Sequence, residues 1–144
     1  MKISTNSRYA LRFLARLSMM SEGRRVTTME IATAEQLSEK MLERIASKLQ
    51  RNGYIISAKG CAGGYMLAKD PGEIRVSDIL VLMETNFLPI HCNDDPESCL
   101  RHEDCIFAAM FDKLNHTILA VTSDITLADI LTGQLDLQIS AAGN

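Results

Sequence analysis

The stretch from Glu39 to Leu67 limits what this 144-residue chain can fold into more than any other part of it. Leu42, Ile45, Ala46 and Leu49 recur at helical spacing, which predicts one buried face on a helix over Glu39–Asn52, with Gly53 placed to end it. Lys40, Glu43, Arg44, Ser47, Lys48 and Arg51 fall on the opposite, outward face. Directly after it, Tyr54–Ala58 alternates and is β-rich, Lys59-Gly60-Cys61-Ala62-Gly63-Gly64 is a glycine-laden turn, and Tyr65-Met66-Leu67 is a second short strand. Upstream, Thr27-Thr28-Met29-Glu30 has the spacing of a capping box that opens a short helix from Met29 to Glu35. Gln36 and Leu37 make a tight connection, and Ser38 is the expected N-cap of the longer helix. Two helices joined this closely form a helix-turn-helix, whose second helix fits a DNA major groove, and the hairpin behind it is a wing.

The remaining elements are helical. A first helix is expected from Asn6 or Ser7 to Met20, with Ala10, Leu11, Leu14 and Leu17 inward and Arg8, Arg12 and Arg16 in a row. After the turn Asp70-Pro71-Gly72, Ser77 can cap a helix to Glu84 that buries Val76, Ile79, Leu80 and Met83. The pattern dissolves from Thr85 to Asp104. Phe107, Met110, Phe111, Leu114, Ile118 and Val121 then form an apolar stripe too long for so small a domain to cover alone, which predicts a dimerisation helix. Thr126-Leu127-Ala128-Asp129 resembles a last capping box for a short helix to Thr132. The expected fold is mainly α with a small β-hairpin: a winged helix-turn-helix domain over 1–84, a cysteine-containing loop over 85–105, a dimerisation helix and short helix over 106–135, and a tail over 136–144. With no tryptophan and 5% aromatics, the core falls to Leu, Ile, Met and Ala, which suits helices.

Charge divides along the chain. Residues 1–60 hold eleven Lys and Arg against five Glu, a balance of +6, so residues 61–144 carry −9 of the total of −3. A basic half joined to an acidic half predicts that one end meets a polyanion. The basic row of the first helix is either a solvated face or a phosphate contact. Lys59 near the wing tip suits a minor groove, where negative potential is concentrated, and Gly60, Gly63 and Gly64 allow a tight turn and close backbone approach. A phosphate-cradling loop is the rival for these glycines, but no Lys-Ser or Lys-Thr pair and no following helix supports it. No apolar run reaches the 18 or so residues that span a bilayer, and the N-terminus lacks a secretory layout, so the expected location is the cytoplasm.

In that compartment four cysteines point to metal, cluster or redox chemistry ahead of disulfides. Cys92, Cys99 and Cys105 have six and then five residues between them, too widely spaced for a zinc knuckle. Three thiolates on one loop can wrap an iron–sulphur cluster, with a fourth ligand still to find among His91, His102 and the neighbouring carboxylates. A cluster-free thiol switch is the alternative. Cys61 stands apart from this loop.

Ser7-Arg8-Tyr9-Ala10-Leu11, Leu42-Glu43-Arg44-Ile45, Leu49-Gln50-Arg51-Asn52-Gly53, the wing Lys59-Gly60-Cys61-Ala62-Gly63-Gly64-Tyr65-Met66-Leu67 and three cysteines before a long helix together resemble the Rrf-two family of bacterial winged-helix transcription regulators. The resemblance spans residues 1 to about 135. It implies a homodimer crossed at the helix around Phe107–Val121, a double-stranded DNA operator, and a groove helix over Ser38–Arg51. The DNA-contacting residues it suggests are Arg8, Ser38, Glu39, Lys40, Glu43, Arg44, Ser47, Lys48, Arg51, Lys59, Gly60, Gly63 and Gly64. Cys92, Cys99 and Cys105 would hold an iron–sulphur cluster, two-iron two-sulphur in form. In relatives that regulate cluster assembly, a His three residues after the last cysteine completes the site; Ala108 stands there. In nitric-oxide-sensing relatives a carboxylate near residue 8 of the partner subunit can serve, and here the stretch reads Asn6-Ser7-Arg8. His102 is the first choice for fourth ligand and His91 the second.

The function expected is therefore a DNA-binding regulator, a repressor, whose operator affinity follows the state of the cluster. The alternative is a cluster-free regulator controlled by thiol oxidation or by a partner protein. Enzymatic chemistry is disfavoured: three histidines and no nucleophile–base grouping or cofactor loop leave little acid–base equipment.

Overall fold

The computed structural model describes residues 3–60, 63–85, 87 and 105–135. Helices α1 (Thr5–Ser21), α2 (Thr28–Glu35) and α3 (Glu39–Arg51) come first, followed by strands β1 (Ile55–Ala58) and β2 (Gly64–Leu67). A 3-10 turn (Pro71–Glu73), α4 (Val76–Met83), α5 (Ala108–Asp124) and α6 (Leu127–Thr132) complete the described elements. This is the mainly helical fold with an antiparallel hairpin that the sequence predicts.

Two helix starts differ from expectation. Ser4 caps α1 by accepting from the Ser7 N–H, while Asn6 and Ser7 lie inside the helix. Ser7 is fully buried and its hydroxyl is spent elsewhere, so it cannot serve as the cap. Similarly, α4 begins at Val76, with Ser77 buried in its first turn and accepting from the Ser123 hydroxyl at 3.1 Å. The capping boxes at Thr27/Glu30 and Thr126/Asp129 form as predicted, each satisfying orphan donors in both directions. Between α2 and α3 the chain turns at Gln36, in the left-handed conformation at φ 54°.

The α3 stripe behaves as its periodicity demands: Leu42, Ile45, Ala46 and Leu49 are all buried. They meet Phe13, Leu14 and Leu17 of α1, Ile31 of α2, Ile55 of β1 and Ile79 of α4 in one core. Phe13 packs edge-on against Tyr65 of the hairpin, with ring centroids 6.1 Å apart. Beyond α5 the chain returns to this core. Val76 N–H donates to Ile125 and Leu127 N–H to Ile74, at 2.9 and 2.8 Å, and Leu127 is itself buried.

The hairpin pairs Ile55 with Leu67 and Ala58 with Gly64 at its two ends. A third segment joins it, because Val26, in the link between α1 and α2, bridges to Tyr65. The wing is thereby anchored to the helix-turn-helix and does not stand free.

Candidate nucleic-acid interface

On the outward side of α3, Lys40, Glu43, Arg44, Ser47 and Arg51 are exposed, and Lys48 is half-buried. Arg44, Lys48 and Arg51 follow at four- and three-residue intervals, a like-charged row whose members repel one another. Among the described residues none of the three pairs with a carboxylate within 4.0 Å, although the Arg51 Nε donates to the Ser47 carbonyl at 3.3 Å. Such a row is electrostatically unfinished in isolation and suits a partner that brings negative charge. At the head of the helix, Ser38 is exposed, in extended backbone, and its side chain makes no capping hydrogen bond. Glu39 instead faces α2, where it accepts from the Thr28 hydroxyl at 3.3 Å.

Arg44, Lys48 and Arg51 also line a groove of about 460 Å³ with Asn6 of α1 and Met83 of α4. The start of α1 and the end of α4 therefore flank the outward face of α3.

The wing turn is closed by the Gly63 N–H donating to the Gly60 carbonyl at 2.8 Å. A Cβ on Gly63 would lie 2.8 Å from the Ala58 and Gly60 carbonyl oxygens, so the turn admits only glycine there without shifting. At Gly64, with φ +131°, a Cβ would meet the Val26 carbonyl at 2.8 Å. The close approach that Gly64 permits is thus to the chain's own backbone. Lys59 and Gly60 are exposed at the tip, while Cys61 and Ala62 lie outside the described residues.

The basic row of α1 divides. Arg12 and Arg16 each donate through Nε to Glu35 at 2.6 Å, one to each carboxylate oxygen. Burial pushes the Glu35 carboxyl up, but hydrogen bonds from Arg16 and Arg12 outweigh it and hold the group below the usual carboxylate range. These two arginines staple α1 to the end of α2. Arg8 is exposed and, among the described residues, its side chain donates only a long bond, 3.4 Å, to the Thr5 hydroxyl.

Glu35 and Glu84 are the residues that sequence reasoning missed. Glu84, at the end of α4, accepts from the Ser4 N–H at 2.7 Å and from the Ser7 hydroxyl at 2.5 Å. No sequence signal links partners separated by eighty positions.

Of the expected cluster ligands, Cys105 is described: a free, partly exposed thiol three residues before α5. Cys92, Cys99, His102 and the alternative ligand His91 lie outside the described residues. Among the described residues no three His, Cys, Asp or Glu side chains converge on a metal site, and no helix is long and apolar enough to cross a membrane. Helix α5 buries none of its residues, although its register carries Met110 and Leu114 at 49% and 47% exposure, with Ile106 and Phe107 at 86% and 53% just before it.

Comparison with known proteins agrees with this geometry. The sequence profile described as Rrf2, iron-dependent transcriptional regulator, matches residues 3–133. The chain is 30% identical over 131 residues to "Protein rrf2" of Nitratidesulfovibrio vulgaris, covering 91% of this chain and 87% of that protein. Its fold superposes on IscR of T. potens with a TM-score of 0.75 at 28% identity, covering 97% and 93% of the two chains. With CymR, the global cysteine regulator of B. subtilis, the TM-score is 0.71 at 27% identity, covering 92% and 98%. A helix-turn-helix with an unpaired basic row, an anchored wing, and sequence similarity over nearly the whole chain lead to one conclusion: the chain belongs to the Rrf-two family of DNA-binding transcription regulators.

Proposed function

We propose that the chain represses transcription as a homodimer, reading its operator with α3 and the wing, under control of an iron–sulphur cluster carried on the segment that ends at Cys105. The observation that carries the DNA reading is the unpaired Arg44–Lys48–Arg51 row on the outward face of α3. Phosphate contacts from Arg8, Lys48, Arg51 and Lys59 would supply most of the affinity and its salt dependence. Ser38, Lys40, Glu43, Arg44 and Ser47 would reach base edges, and Gly60, Gly63 and Gly64 would let the wing backbone come close to the duplex. Glu39, already engaged with Thr28, would orient the helix start. The apolar flank of α5 supports pairing with a second copy, since contiguous exposed apolar surface of this kind marks association. Two such reading heads would meet half-sites about 34 Å apart.

The donor set suits an iron–sulphur group: the Cys105 thiol is free and accessible, and Cys92 and Cys99 bring two more thiols, with His102 as the fourth ligand. When bound, such a cluster supplies redox- and iron-dependent charge and tethering of its loop. The chain's own contribution is to connect that loop to both α4 and α5, the elements on either side of it. The switch requires a coupling free energy of about 1–3 kcal/mol between loop state and DNA affinity.

Ala108 stands where assembly regulators of the family carry histidine, and the fold resembles that of a cysteine regulator. Both favour, as a second reading, cluster-free control by thiol oxidation or a partner protein.

Anaerobic isolation followed by a visible absorption spectrum separates the two. Charge-transfer bands lost in Cys92→Ala, Cys99→Ala or Cys105→Ala support the cluster, and a colourless, iron-free sample defeats it. Operator selection from a random DNA pool with and without iron and sulphide then tests control: equal binding in both states would end the cluster reading. Arg44→Ala is expected to weaken the selected site by about ten- to a hundredfold.

A further inference from the structure

The C-terminal end of α5 is joined to the DNA-reading head by two kinds of contact. The first is backbone pairing: Arg75 and Thr126 form an antiparallel bridge, with the Val76 N–H donating to the Ile125 carbonyl and the Leu127 N–H to the Ile74 carbonyl. The second is a side-chain bond, in which the Ser123 hydroxyl, in the last turn of α5, donates at 3.1 Å to the Ser77 hydroxyl, in the first turn of α4. Ser77 is buried, and α4 is fixed in the head: Ile79 and Met83 lie in the same core as α1 and α3, and Met83 lines the same groove as Lys48. A backbone bridge constrains the separation of two segments more than their tilt. A further contact off its axis is needed to fix the angle, and Ser77 with Ser123 supplies one.

We propose that Ser77 and Ser123 are positioning residues that set the angle between α5 and the reading head, and so the half-site spacing that the dimer accepts. The proposal rests on the reading of α5 as the surface that pairs two copies. The exposed apolar side chains Met110 and Leu114 lie toward the opposite end of α5 from Ser123. At a rise of about 1.5 Å per residue, Met110 is about 20 Å from Ser123, so a tilt of about 10° at the joint moves the head by about 3.5 Å relative to the pairing surface. That displacement is about the rise of one base pair. One hydroxyl pair can therefore discriminate between operators whose spacing differs by a single base pair, although neither serine is among the residues assigned to DNA contact.

The test uses the full-length chain, isolated anaerobically, and fluorescence anisotropy on duplexes carrying two inverted copies of the selected half-site at the preferred spacing and at one base pair more or less. A duplex with a single half-site is the control, and light scattering reports the oligomeric state. Ser77→Ala/Ser123→Ala removes both hydroxyls, so no buried group is left unpaired. It is expected to stay dimeric, to bind the single half-site as the parent does, and to lower the preference for the parent spacing by about two- to tenfold, the range one hydrogen bond can enforce. Either single substitution should lower it about as far as both together, because each alone removes the bond. Ile125→Gly keeps the carbonyl that Val76 uses but loosens the backbone at the joint, and should relax the spacing with both hydroxyls in place. A dimeric double variant with the parent's spacing preference would overturn the proposal alone, as would relaxation matched by an equal loss on the single half-site, which marks a merely structural bond. A parent that is monomeric both free and on the paired half-sites would remove the reading of α5 as the pairing surface, and the proposal with it.

Discussion

Val26 and Tyr65 exchange both backbone hydrogen bonds, Val26 N–H to the Tyr65 carbonyl at 3.0 Å and Tyr65 N–H to the Val26 carbonyl at 2.8 Å. An isolated two-stranded hairpin is marginal in water, and this bridge gives the wing the third segment it needs. It also ties wing orientation to the link ahead of α2.

Gly64→Ala is expected to break that arrangement. The new Cβ would sit 2.8 Å from the Val26 carbonyl, in backbone at φ +131° that side chains rarely adopt. A loss of about 2–4 kcal/mol of folding stability should appear in urea denaturation. A variant within error of the parent would mean that the Val26 bridge is not formed in solution.

Gln36→Gly should have the opposite sign. Gln36 turns the chain between α2 and α3 at φ 54°, a conformation that costs a residue with a Cβ roughly 1 kcal/mol or more. Relief of that strain, offset by the flexibility glycine adds to the unfolded chain, should raise stability by about 0.5 kcal/mol. Differential scanning calorimetry would register it as a higher melting temperature, and a fall would refute the strain.

Glu35 makes folding stability depend on acid. Its carboxyl lies below the ordinary value in the folded state, through Arg16 and Arg12, so the unfolded chain binds the proton more readily. The stabilisation is complete above the unfolded value of about 4.3 and disappears as pH falls through the lower, folded one. Arg12 and Arg16 are 47% and 34% exposed, and solvent screening limits the charge contribution to about 1 kcal/mol. Glu35→Gln should lose that amount at pH 7 and show a flatter decline between about pH 5 and pH 3. Parallel pH–stability curves for parent and variant would count against the staple.

Met110→Glu tests the apolar flank of α5. Met110 is 49% exposed and α5 buries none of its residues, so a charge there should change monomer stability by less than about 0.5 kcal/mol. Light scattering after size exclusion should nonetheless report a shift from dimer to monomer. If the parent already elutes as a monomer, or the variant stays dimeric, α5 does not form the interface.

Much of the architecture was legible because its signals are local. The stripe of Leu42, Ile45, Ala46 and Leu49 announces which face of α3 is buried, since helical spacing alone places those side chains together. Thr27/Glu30 and Thr126/Asp129 mark helix starts because a capping box is completed within four residues. Gly60, Gly63 and Gly64 announce a tight hairpin for the same reason. The candidate DNA face follows from the other side of the same helical wheel.

The functions of Arg12, Arg16, Ser7, Val26 and Glu84 were decided by tertiary structure. Arg8, Arg12 and Arg16 look equivalent along the chain, and only the docking of α2 against α1 brings Glu35 to two of them and leaves Arg8 exposed. Ser7 reads as a helix cap until the end of α4 delivers Glu84 to its hydroxyl. Spacing within a helix or turn is dictated by backbone geometry and can be counted along the chain. Which carboxylate meets which cation depends on how the hydrophobic core orients separate helices, and that is set by packing among residues scattered from Ala10 to Leu127.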